Sequence, residues 1–196
     1  VDTLTTVVIP LAAMAVAGIS ASAAWAAARA AHRSAHSAAT LATNDAERRR
    51  DELAPTIDLA CQAQGQRRAV LTLTLTGPTG LEGLDRVEVT IADPLPDRYP
   101  VIAGGPTQQE LDAQVWGPYR FVTSTTGVTG HGTAQVEHVR PHTPVDLALE
   151  QTPAPAWVAD PAGWQEERAG QLLITLVCHH ARYRPWTLER QTVATH

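Results

Sequence analysis

Uncharged side chains fill residues 3–28, and the first charges after them are Arg29 and Arg33. Val7, Val8, Ile9, Leu11, Met14, Val16 and Ile19 concentrate the apolar character in the first half; alanine and serine dominate the second. A bilayer core of roughly 30 Å is crossed by about 20 helical residues, so this run is long enough to span it. Pro10 falls in the first turns, where a missing N–H costs least. Trp25 falls at the expected headgroup boundary. The pattern predicts a transmembrane helix over residues 1–28. Three other segment types compete with it. A cleaved signal peptide would use Ala21-Ser22-Ala23, but Asp2 stands where a basic flank belongs. An alanine-rich helix buried on protein fits the weak second half. An interfacial helix needs a polar face, and none precedes Arg29.

Arginines set the orientation. Arg29, Arg33, Arg48, Arg49 and Arg50 follow the span and no basic residue precedes it, which predicts a cytoplasmic C-terminal part. Trp25, Arg29 and Arg33 are the expected membrane-interface residues, with the lipid bilayer as partner. Gly18, Ser22 and Ala26 form a small-xxx-small row through which two copies could associate, although alanine-rich helices carry such rows by chance. Helix-favouring residues continue to Leu53, predicting a stalk over residues 29–54, about 37 Å long at 1.5 Å per residue. Leu41 and Leu53 are its only large aliphatics, too few for a heptad seam. Asn44 offers an alternative cap that would split the rod.

After Pro55 the hydrophobic period changes from helical to two. Ile57, Leu59 and Cys61 alternate with polar neighbours, as do Leu71, Leu73 and Leu75, then Val87, Val89 and Ile91, then Val145, Leu147 and Leu149. Further strands are predicted over 172–178 and 186–193, with weaker ones at 119–123 and 133–139. Alternation with one polar face indicates antiparallel sheet wet on one side. Seven or eight such strands predict a mainly β domain over 55–196, an antiparallel β-sandwich. Two helical insertions interrupt it. Thr107 caps the first, over 108–115, with Glu110 at the capping-box position. Asp160 caps the second, over 161–169, with Pro161 at the favoured first position.

All 15 basic residues are arginine, and the net charge of −5 shows no basic face, which argues against nucleic acid as a partner. The arginine bias reads as codon usage in a GC-rich genome. Cys61 and Cys178 end alternating apolar rows, so both point inward; they could meet across a sandwich, as a disulfide in an exported domain or as reduced thiols in the cytoplasm. No metal or cofactor is expected. No C-x-x-C pair occurs, and His131, His138, His142, His179 and His180 are too scattered for a zinc site. Ser124 lacks a nucleophile-elbow context. Gly104-Gly105-Pro106 is no phosphate loop, because Pro106 removes a donor and no Gly-Lys follows. The acidic pairs Asp93 with Asp97 and Glu166 with Glu167 read as solvated. Trp116, Tyr119, Arg120 and Phe121 cluster in sequence and offer a candidate interaction patch, since aromatic residues and arginine dominate binding hot spots. The competing view makes the aromatics core anchors.

Leu-Thr-Gly-Pro-Thr-Gly-Leu at 75–81, Leu-Asp-Arg-Val-Glu-Val-Thr-Ile at 84–91, Ala-Gly-Gly-Pro-Thr at 103–107 and Gln-Val-Trp-Gly-Pro-Tyr-Arg-Phe at 114–121 carry a resemblance. With Trp186-Thr187-Leu188, they resemble a group of uncharacterised actinobacterial membrane-anchored proteins. The resemblance implies an N-terminal apolar helix, a basic stalk and a compact C-terminal domain, and it implies no catalytic residue. The function expected is a non-catalytic scaffold at the cell membrane, displaying a cytoplasmic β domain to a protein partner. A loop-built enzyme or a small-molecule or metal-binding domain is the runner-up. A subunit whose N-terminal helix packs on protein within a larger assembly is the third reading. A deep pocket with convergent polar groups would favour the runner-up.

Overall fold

A computed structural model describes the backbone of residues 3–65, 67–93, 105–124, 127–168 and 170–195, and the side chains of that set outside 3–24 and 26–28. The chain divides into two units, Val1–Asp51 and Glu52–His196.

The first unit is the helix α1 (Thr3–Glu52), which runs past Gly18 and Asn44 without a break. Asn44 therefore does not split the rod. Alanine, arginine and glutamate lose little on entering a helix, and Arg49 and Arg50 in the last turn face the negative end of its dipole. The Thr40 and Thr43 hydroxyls donate back to the carbonyls of His36 and Ala39, both at 3.0 Å. Among the described residues no helix is long and apolar enough to cross a membrane. The apolar side chains from Val7 to Ile19, and the row Gly18, Ser22 and Ala26, lie outside the described side chains.

The second unit is mainly β. Its strands are β1 (Thr56–Ala63), β2 (Arg68–Gly77), β3 (Leu84–Ile91), β4 (Tyr119–Phe121), β5 (Val128–Gly130), β6 (Thr133–Val139), β7 (Val145–Gln151), β8 (Gln171–His180) and β9 (Tyr183–Thr195). Two short helices interrupt them, α2 (Gln108–Ala113) and α3 (Pro161–Arg168). Both start where the caps predict. Thr107 and Glu110 exchange the two capping-box bonds, and Asp160 accepts the Gly163 N–H at 3.1 Å. The first helix stops at Ala113 rather than at residue 115, because Gln114 turns extended ahead of Gly117-Pro118.

Among the described residues the strands form one sheet in the order β4-β7-β2-β1-β9-β8-β3-β6-β5. The expected two-sheet sandwich is thus a single sheet curled nearly closed. Its two halves are antiparallel. They meet at β1 and β9, which run parallel and pair only at Cys61 with Ala194 and Gln62 with Thr195. Toward the start of β1 the strands part, and Arg190 Nε reaches across to the Ile57 carbonyl at 3.4 Å. At the opposite edges, the Phe121 N–H of β4 donates to the His131 carbonyl of the β5–β6 turn at 2.8 Å. The backbone of His131 thus bridges the two edges of the sheet.

The inward rows make one core: Leu71, Leu73 and Leu75 of β2, Val87 and Val89 of β3, Ile174 and Leu176 of β8, with Phe121. Alternation put these residues on one face, and the curl brings the two halves' faces together. Cys61 and Cys178 both point into this core as free thiols. Cys61 sits opposite Ala194 and Cys178 opposite Trp186, on strands separated by β9.

The β4–β5 turn depends on Gly127, whose φ is +86°. A Cβ there would collide with the Gln135 carbonyl oxygen, while the Gln135 N–H donates to Gly127 O at 2.7 Å. Gly127→Ala is expected to cost about 1–2 kcal/mol from the left-handed backbone alone, read as a lower urea midpoint at unchanged slope.

Candidate functional site

One end of the barrel gathers the starts of β2, β4, β8 and the ends of β1, β7 and β9. The helix α3 lies over this end because the β7–β8 connection crosses it. Trp164 is the buried anchor of α3, 7% exposed. The Arg168 guanidinium, one turn later, stacks 4.2 Å from the Trp164 ring centre and 5.5 Å from that of Trp116. Arg168 Nη1 also donates to the Trp164 carbonyl at 3.1 Å and stands 3.6 Å from the exposed Glu167 carboxylate. Trp116 is fixed in turn by its indole N–H, which donates to the Leu111 carbonyl of α2 at 3.2 Å. Two tryptophans from different insertions therefore share one arginine.

Beneath α3 lies a cavity of about 190 Å³. Its polar lining includes Tyr119, Gln151, Thr152, Gln165 and Arg168, and Val193 and Ala194 give it an apolar side. Thr152 is 1% exposed, the one buried polar residue of the described set. Its backbone N–H is satisfied by the Pro118 carbonyl at 3.0 Å, but its hydroxyl has no partner. The Trp164 indole N–H is also buried without a partner. Each such group costs about 1–3 kcal/mol when left unpaired. Burial pushes the Tyr119 phenol up, and the neighbouring Cys61 thiol adds to the rise.

The four residues of the predicted patch separate. Phe121 is 0% exposed and belongs to the core, so it is corrected from surface to interior. Tyr119 shares its inward face, because β4 alternates with period two. Arg120 points to the outer face, where Nε and Nη2 meet Glu150 Oε1 at 2.8 and 2.7 Å on the paired strand β7. Trp116 and Tyr119 go instead to the capped end. Thr152 and Trp164 were not singled out as site residues. A lone threonine after a strand carries no signal, and a tryptophan within a short helical insertion reads as a core anchor.

On the helical unit, Trp25 is exposed and the Arg29 guanidinium stacks 4.4 Å from its ring. Arg33 follows one turn on, its Nε donating to the Arg29 carbonyl at 3.4 Å. The structure thus brings Trp25, Arg29 and Arg33 onto one face.

A second cavity, about 400 Å³ and shallower, lies between α2 and the end of β3, lined by Asp93, Asp112 and Trp116 among others. Among the described residues no three His, Cys, Asp or Glu side chains gather around a point. His179 and Arg86 both approach Glu88 Oε1 on the outer face, at 3.2 and 3.0 Å. Gly104 and Asp97 lie outside the described residues. Compared with family models, curated proteins and solved structures, the chain matches none.

Proposed function

We propose that this chain is a single-pass membrane protein that holds a non-catalytic β domain on the cytoplasmic side of the bilayer, for recognition by a protein partner. The observation that carries it is the uncharged run of residues 3–28 ending in Trp25, Arg29 and Arg33. An apolar segment followed by arginines on one helix face suits a headgroup boundary, and the arginine asymmetry favours the cytoplasmic side. Three residues, Leu53-Ala54-Pro55, link α1 to β1.

Two measurements test it. The chain should stay in the membrane pellet under alkaline carbonate, and a reporter that is active only when exported should be silent when fused at His196. Replacing Arg29 and Arg33 together by glutamate should raise that reporter's activity, because the nearest charges set orientation. Release by carbonate, or a reporter already active in the parent chain, would sink the proposal.

A further inference from the structure

We propose that the face of α1 formed by Arg29, His32, Arg33 and His36 binds the headgroup phosphate of an anionic phospholipid. The proposal rests on the membrane reading of residues 3–28 and adds the class of lipid. These four residues are spaced i, i+3, i+4 and i+7, which puts them on one face of a helix. Their side chains line one shallow hollow, and all four are exposed. The arginine charges are open to a ligand. Their described contacts are the Trp25 ring for Arg29 and the Arg29 carbonyl for Arg33. No Asp or Glu occurs between Asp2 and Asp45, and Asp45 lies about 14 Å beyond His36 along the axis at 1.5 Å per residue. A face with two cations, further N–H donors and no carboxylate selects an anion.

Side-chain direction turns this face toward the bilayer. The Cα–Cβ bonds of a helix tilt toward its N-terminus, which here is the apolar end. Both arginines follow that direction. The Arg29 guanidinium reaches back one turn to stack 4.4 Å from the Trp25 ring, and Arg33 Nε reaches back one turn to the Arg29 carbonyl. An indole suited to the headgroup boundary therefore carries the first cation of the row. A guanidinium fork matches phosphate oxygens, and a histidine ring has at least one nitrogen that donates. Zwitterionic phosphatidylcholine presents the same phosphate beside a choline cation, which the arginines repel. A net anionic lipid lacks that penalty. Each arginine near an anionic surface contributes a preference of about fivefold.

The test uses the full chain in vesicles that mix phosphatidylglycerol with phosphatidylcholine, one of the two brominated in its acyl chains to quench tryptophan. The difference between the parent and Trp25→Phe isolates the Trp25 emission. Both leaflets carry the same mixture, so orientation does not enter. Brominated phosphatidylglycerol should quench Trp25 with an association constant at least about fivefold above that of brominated phosphatidylcholine. Arg29→Gln combined with Arg33→Gln should bring this ratio close to one. His32→Ala combined with His36→Ala should lower it about twofold or more. Arg49→Gln, further along the same helix, should leave it unchanged. Equal quenching by the two lipids overturns the anion site, whereas quenching by neither overturns the membrane reading beneath it. A loss in Arg49→Gln as large as in the paired arginine variant makes the preference one of net charge and overturns the site. An unchanged ratio in the histidine variant overturns the histidines' role. Inorganic phosphate at matched ionic strength should leave the preference in place; its erasure would make the occupant a free phosphate and overturn the lipid assignment.

Discussion

Phe121→Ala is expected to destabilise the β domain by about 3–5 kcal/mol, enough to unfold much of it near physiological temperature. Phe121 is 0% exposed and is the largest of the fully buried side chains among the described residues. It lies on β4, an edge strand of three residues held by β7 on one side. Its backbone N–H reaches the His131 carbonyl on the other side, and His131 Nδ1 stands 3.3 Å from the Phe121 carbonyl. Truncation would therefore leave a cavity at the place where the barrel closes. A strand this short relaxes easily, so part of the loss should appear as fraying of β4 and β5. Urea denaturation measures the total, and amide exchange at Phe121 and Val122 reports the fraying. A loss under about 1 kcal/mol would mean that the aromatic ring does not hold the closure.

The second large effect is alkaline. Burial pushes the Cys178 thiol up to about 12 from its ordinary 9.0, although the Arg190 guanidinium works against the rise. Burial also pushes Cys61 up. A thiol whose folded pKa is raised favours the folded state while it stays protonated. Its contribution is complete below pH 9 and is lost as pH climbs towards 12. Between those limits the parent chain should lose on the order of 4 kcal/mol more than Cys178→Val, a substitution of similar volume that cannot ionise. Urea midpoints of both chains from neutral to strongly alkaline pH give the difference, and parallel curves would reject it. The same burial predicts that iodoacetamide leaves both cysteines unlabelled in the native chain and labels both after unfolding.

Local rules carried much of this architecture. The capping box at Thr107 and Glu110 and the start of α3 at Pro161 stand where side-chain chemistry places them. The alternation of Leu71, Leu73 and Leu75 told which face is inside. It could not tell which strand lies alongside, because a period of two assigns faces and not neighbours. The parallel contact between Cys61 and Ala194 joins residues far apart in the chain, and no local signal marks it. One strand order makes two sheets and another makes a barrel, so the sandwich and the curled sheet read alike in sequence. The four patch residues part for a simpler reason. Tyr119, Arg120 and Phe121 occupy consecutive positions of a strand, so Arg120 had to face away from its neighbours. Thr152 was illegible because its importance is an unpaired hydroxyl, a property of surroundings assembled from β4, β7, β9 and α3.

The two-residue contact between β1 and β9 has a mechanical side. Tension drawn along α1 enters the β domain at Thr56 and loads β1 before any other strand. Eight register positions with β2 hold that strand on one side, against two pairs with β9 on the other. The β1–β9 seam is the weaker flank of that strand, and the β1–β2 ladder holds it with more pairs. Parting that seam would open the barrel like a slit cylinder and leave most of its hydrogen bonds in place.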